Sequence, residues 1–217
     1  MTNVLKNINI RIASSLSDVD AKLWNACAGQ QNPFVQYSFL SALEDSGSAN
    51  AETGWACQHL IIESSNHDKY LGIAPIYLKS HSYGEYVFDW GWADAYERAG
   101  GKYFPKLLCG VPFTPVTGPR LMILPSLKDH KAYIRTALID AMVQIAQRLN
   151  LSSIHVNFLE KDEWELIGEN GFLQRQGQQF HWENNGYENF DQFLSELSSR
   201  KRKNIRKERS KVEVPGL

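Results

Sequence analysis

Along the chain, apolar residues change period in a regular order. Ile8, Ile10 and Ile12 alternate with Asn7, Asn9 and Arg11, which predicts a strand over Lys6–Ala13 with one buried face. Val19, Leu23 and Cys27 then recur at four-residue steps behind Ser17, Asp18 and Asp20. That is a short helix capped at Ser17 and ended near Gly29. Ser38 would cap a second helix, stopped at Gly47. Trp55–Glu63 and Tyr70–Lys79 are β-branched and apolar runs on either side of the polar turn SSNHD, a hairpin signature. Pro75 cannot donate to a ladder, so the second run is broken, bulged or at an edge there. Leu121–Leu124 reads as a short strand. Ile134, Leu138, Met142, Ile145 and Leu149 give the clearest helical stripe, within Lys128–Leu149. Ser153–Leu159 returns to period two, with His155 and Asn157 opposite Ile154, Val156 and Phe158. Lys161–Glu169 is a helix closed by Asn170-Gly171. Phe172–Glu183 alternates as a strand, and Phe190, Phe193, Leu194, Leu197 and Ile205 define one long amphipathic helix. The order implies a mixed α/β (α+β) sheet flanked by helices.

Tyr83–Arg120 fits no plain core strand. It holds four of the 9 tyrosines, two of the 6 tryptophans and three of the 10 phenylalanines, interleaved with Asp89, Asp94, Glu97, Arg98 and Arg120. Rings beside carboxylates and Pro/Gly turns suit an apolar-walled cleft with a few polar groups aimed inward. An aromatic loop packed over a sheet is the plainer alternative. Asp89 and Asp94 flank Trp90-Gly91-Trp92. Desolvation by the rings would raise a carboxylate toward a proton acceptor's range, whereas a capping role needs no such shift.

Charge adds a second feature. The net charge is −1, yet Ser198–Lys211 carries eight Lys or Arg against one Glu. Arg202 and Arg206 share one helical face, with Lys203 beside them. The segment is either an anion site or a solvated charged helix. Cys27, Cys57 and Cys109 are too dispersed for zinc spacing, and the six histidines show no ligand pattern, so no metal is expected. His155 and His181 on strands read as structural groups. The sequence lacks the phosphate-loop, dinucleotide, zincin and nucleophile-elbow motifs. With no signal peptide or apolar span in view, a cytoplasmic protein is expected.

Four blocks then carry a resemblance: SFLSALEDSG, APIYLKSHSYGEYVFDWGWADAYERAG, YFPKLLCGVPFTPVTGPRL and QFHWENNGYENFDQFLSELSSRKRKNIRKER. In this order, between about Asn32 and Lys211, the chain resembles the predicted N-acyltransferase family. That family is related to the Fem peptidoglycan-bridge aminoacyltransferases within the GNAT superfamily. The resemblance implies the first of two tandem GNAT-like domains, residues 1–187, with residues 188–217 leading as an amphipathic then basic helix toward a second. It implies transfer of an activated acyl group, from acyl-CoA or aminoacyl-tRNA, to an amine on a small molecule or peptidoglycan precursor. A second domain or a dimer partner would complete the site. On this reading Asp89 and Asp94 are catalytic. Trp90, Trp92, Tyr96, Phe113, Gly118 and Arg120 bind substrate, and Arg202, Lys203 and Arg206 bind phosphate, of tRNA for example. The acyl-CoA loop usual in GNAT enzymes is not found. A non-catalytic anion- or nucleic-acid-binding module and an inactive half-protein are the competing readings.

Overall fold

The computed structural model describes residues 8–213, which divide into two compact units, one ending at Arg175 and one starting at Gln176. Lys6 and Asn7 of the expected first strand, and Val214–Leu217, lie outside the described residues.

The first unit is built on two four-stranded sheets. β1 (Asn9–Ala13), β3 (His59–Glu63), β4 (Tyr70–Ala74) and β7 (Met122–Ile123) form one, in the order β1-β3-β4-β7, with every pairing antiparallel. β2 (Trp55–Cys57), β5 (Ile76–Lys79), β6 (Lys106–Cys109) and β8 (Ile154–Val156) form the other, in the order β2-β5-β6-β8. Its pairings are antiparallel except the last, β6 with β8. The mixed α/β class read from the sequence holds, as two sheets where one was expected.

The reason lies in the hairpin. β3 pairs with β4, and β2 with β5, so one long hairpin crosses from sheet to sheet at Gln58 and Pro75. Pro75 brings no N–H to the crossing, and its carbonyl accepts from Gly110 N–H at 3.1 Å.

The first sheet is covered on both faces, so its central strands are continuous apolar runs. Leu60 and Ile62 face Ile134, Leu138, Met142 and Ile145 of α4 (Lys131–Arg148). Ile61 and Ile73 face Trp24 of α1 (Ala21–Ala28) and Leu40 of α2 (Tyr37–Asp45). Each such side chain contributes about 1.5–3 kcal/mol by leaving water. Gly72 lets α4 sit close, since a Cβ there would stand 2.6 Å from Ile134 Cγ2. At the edge, Ile10 and Ile12 are exposed, so of the isoleucine face expected to be buried only Ile8 packs against the core. Arg11 on the opposite face pairs with Glu63 at 2.5 Å.

Other boundaries moved for local reasons. Asp20, not Ser17, caps α1, accepting from Lys22 and Leu23 N–H. α2 starts after Gln36 rather than at Ser38. α5 (Lys161–Glu169) has the expected limits. Phe172–Glu183 forms no strand: period two says which side chains share a face, not that a neighbouring strand exists. In the second unit the expected long helix is two, α6 (Phe190–Glu196) and α7 (Ser199–Glu213), broken where Leu197 turns extended. Among the described residues no helix is long and apolar enough to cross a membrane. The three cysteines are buried free thiols.

Candidate active site

Between the neighbouring strands β5 and β6 the chain leaves the second sheet for Ser80–Pro105, a long excursion carrying α3 (Trp90–Arg98). Its base is a buried cluster of charges. Lys106, the first residue of β6, is fully enclosed. Its Nζ donates to Asp89 Oδ2 at 2.6 Å, Ser82 Oγ at 2.8 Å and Glu85 Oε2 at 3.0 Å. Tyr103 donates its hydroxyl to the same Asp89 oxygen at 2.8 Å. Asp89 occupies the N-cap position of α3, but its side chain makes no cap bond because it turns inward to Lys106. Carboxylates this deep persist only when paired. Only 1% of Asp89 and 3% of Glu85 is exposed, and Asp89 Oδ1 and Glu85 Oε1 have no hydrogen-bond partner among the described residues. Tyr77 OH and Asn157 Nδ2 are buried without a hydrogen-bond partner as well, but of the four only Asp89 Oδ1 and Glu85 Oε1 belong to carboxylates bound to one lysine.

The two carboxyls are tuned apart. Burial pushes Asp89 up, but bonds from Lys106, Ser82 and Tyr103 outweigh it and hold the group at about 2. The expected rise at Asp89 is therefore reversed, because desolvation is offset by three donors. Glu85 goes the other way: burial raises it, and Lys106 returns only part of the loss. Burial also pulls Lys79 down to about 7, with Glu85 opposing and Lys106 adding to the fall. Its ammonium stands 3.3 Å from the centroid of the Trp55 ring. His155, alternating out of β8, is lowered by burial to about 4 and is neutral at pH 7. A ring nitrogen of His155 and carboxylate oxygens of Glu85 and Asp89 lie within 4.8 Å of one another.

Above this base the excursion turns its rings outward. Trp92 is 67% and Phe88 74% exposed, and Tyr83, Tyr86, Trp90 and Tyr96 are exposed as well. So is Phe113, which comes from beyond β6 and donates its N–H to Gly84 O at 3.0 Å. Of α3 only Ala93 is buried. Tyr86, Phe88 and Phe113 hold φ of 59°, 51° and 58°, a left-handed backbone that large side chains rarely adopt. Each such residue costs of order 1–3 kcal/mol, and strained residues of this kind gather at functional sites. Tyr83 and Trp90 lie 4.8 Å apart, ring to ring.

The sequence-derived site residues distribute unevenly over this arrangement. Asp89 is at its base, and Trp90, Trp92, Tyr96 and Phe113 are exposed, with Trp90 and Trp92 on nearly opposite sides of α3. Asp94 stands apart, an exposed residue paired with Arg98 at 3.1 Å. Gly118 and Arg120 do not form the expected anion turn. Gly118 N–H donates to Phe158 O at 2.9 Å. The enclosed Arg120 guanidinium donates to the carbonyls of Asn157 (2.8 Å), Pro119 (3.0 Å) and Val116 (2.8 Å). The donors meant for an anion are spent on backbone. Arg120 N–H in turn donates to the buried carboxylate of Glu163, which also accepts from Leu121 N–H and Arg135. In the second unit Arg202 donates to Ser195 O at 3.2 Å, Arg206 pairs with Asp191 at 3.4 Å, and Lys203 is exposed. Sequence reading missed Glu85, Tyr103 and Lys106. The signal was the spacing of Glu85 and Asp89 four residues apart, before a lysine that opens a buried strand.

Two trios have donors close enough for a metal ion among the described residues: Glu85, Asp89 and His155, and Glu44, Cys57 and His59. In the first, Lys106 Nζ already holds one oxygen of each carboxylate. In the second, His59 Nδ1 accepts from Ile76 N–H at 3.2 Å, so Nε2 carries the proton and donates to Glu44 at 3.0 Å. Burial keeps the Cys57 thiol protonated. The Lys106 charge beside the first trio and the protons on the second oppose an ion. A cleft of about 690 Å³ beside Gln147, Asn150, Ile154 and Phe172 has no titratable side chain in its lining, so it offers no acid or base.

Solved structures with a similar course of chain include a Trypanosoma brucei acetyltransferase, 12% identical, covering 82% of this chain and 100% of that one, TM-score 0.47. Another is the aminoglycoside N-acetyltransferase AAC(6')-Iy in complex with CoA, 13% identical, covering 82% and 95%, TM-score 0.49. A third is AtaT complexed with acetyl-methionyl-tRNAfMet, 15% identical, covering 80% and 91%, TM-score 0.45. No curated protein matches. Residues 15–217 match the FemAB-like family, described as peptidoglycan biosynthesis/recognition, and the chain belongs to that family.

Proposed function

We propose that this protein transfers an activated acyl or aminoacyl group to an amine carried by a peptidoglycan precursor or related envelope compound, with Glu85 taking the amine's proton. Membership of the FemAB-like family supports the reaction class. The observation that carries the site is the buried Glu85–Lys106–Asp89 cluster at the foot of an excursion whose rings are exposed.

An amine reaches the enzyme mostly as an ammonium ion. It must shed a proton to attack the acyl carbonyl, and the thiolate or ribose oxygen of the donor leaves as the new amide forms. A carboxyl whose pKa is raised toward the working pH is the suitable acceptor. Glu85 meets this requirement and has an unused oxygen, Oε1. Asp89, held at about 2, stays ionised. Its part is to fix Lys106 between the two carboxylates. Oε1 is buried, so for it to meet the amine the Tyr83–Phe88 turn has to move. Rings from among Trp90, Trp92, Tyr96 and Phe113 would then hold the acceptor.

Acyl-CoA and aminoacyl-tRNA are the donors proposed, with Arg202, Lys203 and Arg206 of α7 holding phosphate. A second domain or a second copy would complete the enzyme. The test is mass-spectrometric detection of the acylated amine, using acetyl-CoA or charged tRNA with amine-bearing muropeptide acceptors. Glu85→Gln should cut the rate about 10²–10⁴-fold with melting preserved. Undiminished transfer would remove Glu85 from the chemistry.

A further inference from the structure

The second unit holds an aromatic cleft that the acyl-transfer chemistry does not use. α6 and α7 run side by side in opposite directions: Arg202 meets Ser195, Arg206 meets Asp191 and Arg209 meets Phe190. Trp182 and Tyr187, ahead of α6, and Phe190 and Phe193 on it line an open cleft of about 490 Å³. The Trp182 and Tyr187 planes lie within 26° of each other at 6.5 Å. Phe193 stands nearly edge-on to Trp182, at 6.0 Å. Trp182 is 66% exposed. The Arg209 guanidinium lies 4.3 Å over the Phe190 ring, so one wall of the cleft is continuous with the cationic helix.

The lining and its charge select the ligand. The cleft is walled by ring faces, and its neighbour Ser198–Lys211 carries eight Lys or Arg against one Glu. Rings alone would suit any flat apolar group, and charge alone any polyanion. A flat ring joined to phosphates satisfies both. The ring must be free of a partner, because a paired and stacked base offers no face to Trp182. The polar side chains at the cleft are already engaged. Asn184 Oδ1 accepts from Gly186 and Tyr187 N–H, and Asn189 Oδ1 from Gln192 N–H.

We propose that residues 176–213 bind single-stranded nucleic acid, an unpaired base stacking in the Trp182–Tyr187–Phe190–Phe193 cleft while flanking phosphates meet Arg202, Arg206 and Arg209. This rests on the phosphate-binding reading of α7 given above and adds to it a base-stacking site.

The test measures fluorescence anisotropy of the full chain with three labelled probes: a uridine oligonucleotide, an abasic oligonucleotide of equal length, and a duplex. The uridine strand should bind about 5- to 150-fold more tightly than the abasic one. Trp182→Leu should reduce it to the abasic level, and Trp182→Tyr should retain the preference. Arg206→Glu should weaken both single strands alike and lower the salt dependence. Equal affinity for uridine and abasic strands overturns the base site but leaves phosphate binding standing. Tighter binding of the duplex also overturns it. Failure of all three probes to bind at low salt overturns the phosphate reading as well.

Discussion

Replacing Lys106 with methionine isolates the interaction on which the site is built. Methionine fills nearly the same volume, so the change removes charge and hydrogen bonds with little loss of packing. It strands Asp89 and Glu85, each at most 3% exposed, and deprives Ser82 of a partner at 2.8 Å. Taking one partner from a buried pair costs about 3–5 kcal/mol, because the remaining charge stays desolvated. Against a typical total of about 5–15 kcal/mol, that is a large share. In a domain of this size it corresponds to a fall in melting temperature of about 6–20 °C. The assay is thermal melting followed by circular dichroism, at pH 7 and at pH 4.5. The loss should shrink at the lower pH, where stranded carboxyls can take protons. The double variant Lys106→Met/Asp89→Asn should recover part of it, since its members share one hydrogen bond. A Lys106→Met protein that melts within about 2 °C of the parent at pH 7 would refute the reasoning, because a loss below about 1 kcal/mol is that of a surface pair.

Asp89→Asn should destabilise more than Glu85→Gln at pH 7, since Asp89 is held down as an anion and Glu85 is pushed up by burial. The stability Asp89 gives is present above about pH 4 and is lost as pH falls toward 2, so Asp89→Asn should flatten the acid limb of a stability–pH curve. Glu85 acts in the opposite sense, with its cost at neutral pH relieved as pH falls through its raised value. Gly72→Ala should cost about 1–3 kcal/mol in urea unfolding, because the new Cβ would lie 2.6 Å from the rigid Ile134 side chain. Phe88→Gly should leave the melting temperature unchanged or higher, relieving a left-handed backbone at φ 51°, while weakening acceptor binding measured by calorimetry. A marked loss of stability would show that the Phe88 ring packs rather than waits for a ligand.

Much of the fold was legible because period and burial agree where a face is unambiguous. The Ile134–Ile145 stripe gave α4, and Asn170-Gly171 gave the end of α5. Pro75 marked a break, but not that the hairpin changes sheets there, since sheet membership is set by distant partners. Phe172–Glu183 shows the converse, an alternating segment with no neighbouring strand to pair with. At the site, the aromatic excursion and Asp89 stood out by composition. The direction of Asp89's shift did not, because it depends on Lys106 and Tyr103 arriving from 17 and 14 residues away. Arg120 looked like an anion ligand in isolation. Only its three carbonyl acceptors show it to be a clamp for the loop.

The rate of amine acylation as a function of pH, for the parent chain and for Glu85→Gln, tests the central assignment most directly. The account predicts a rate that rises through an acidic midpoint above the ordinary glutamate range, and a variant that folds normally but loses both the rate and that midpoint. A Glu85→Gln protein with the parent's rate and the parent's pH profile would contradict it.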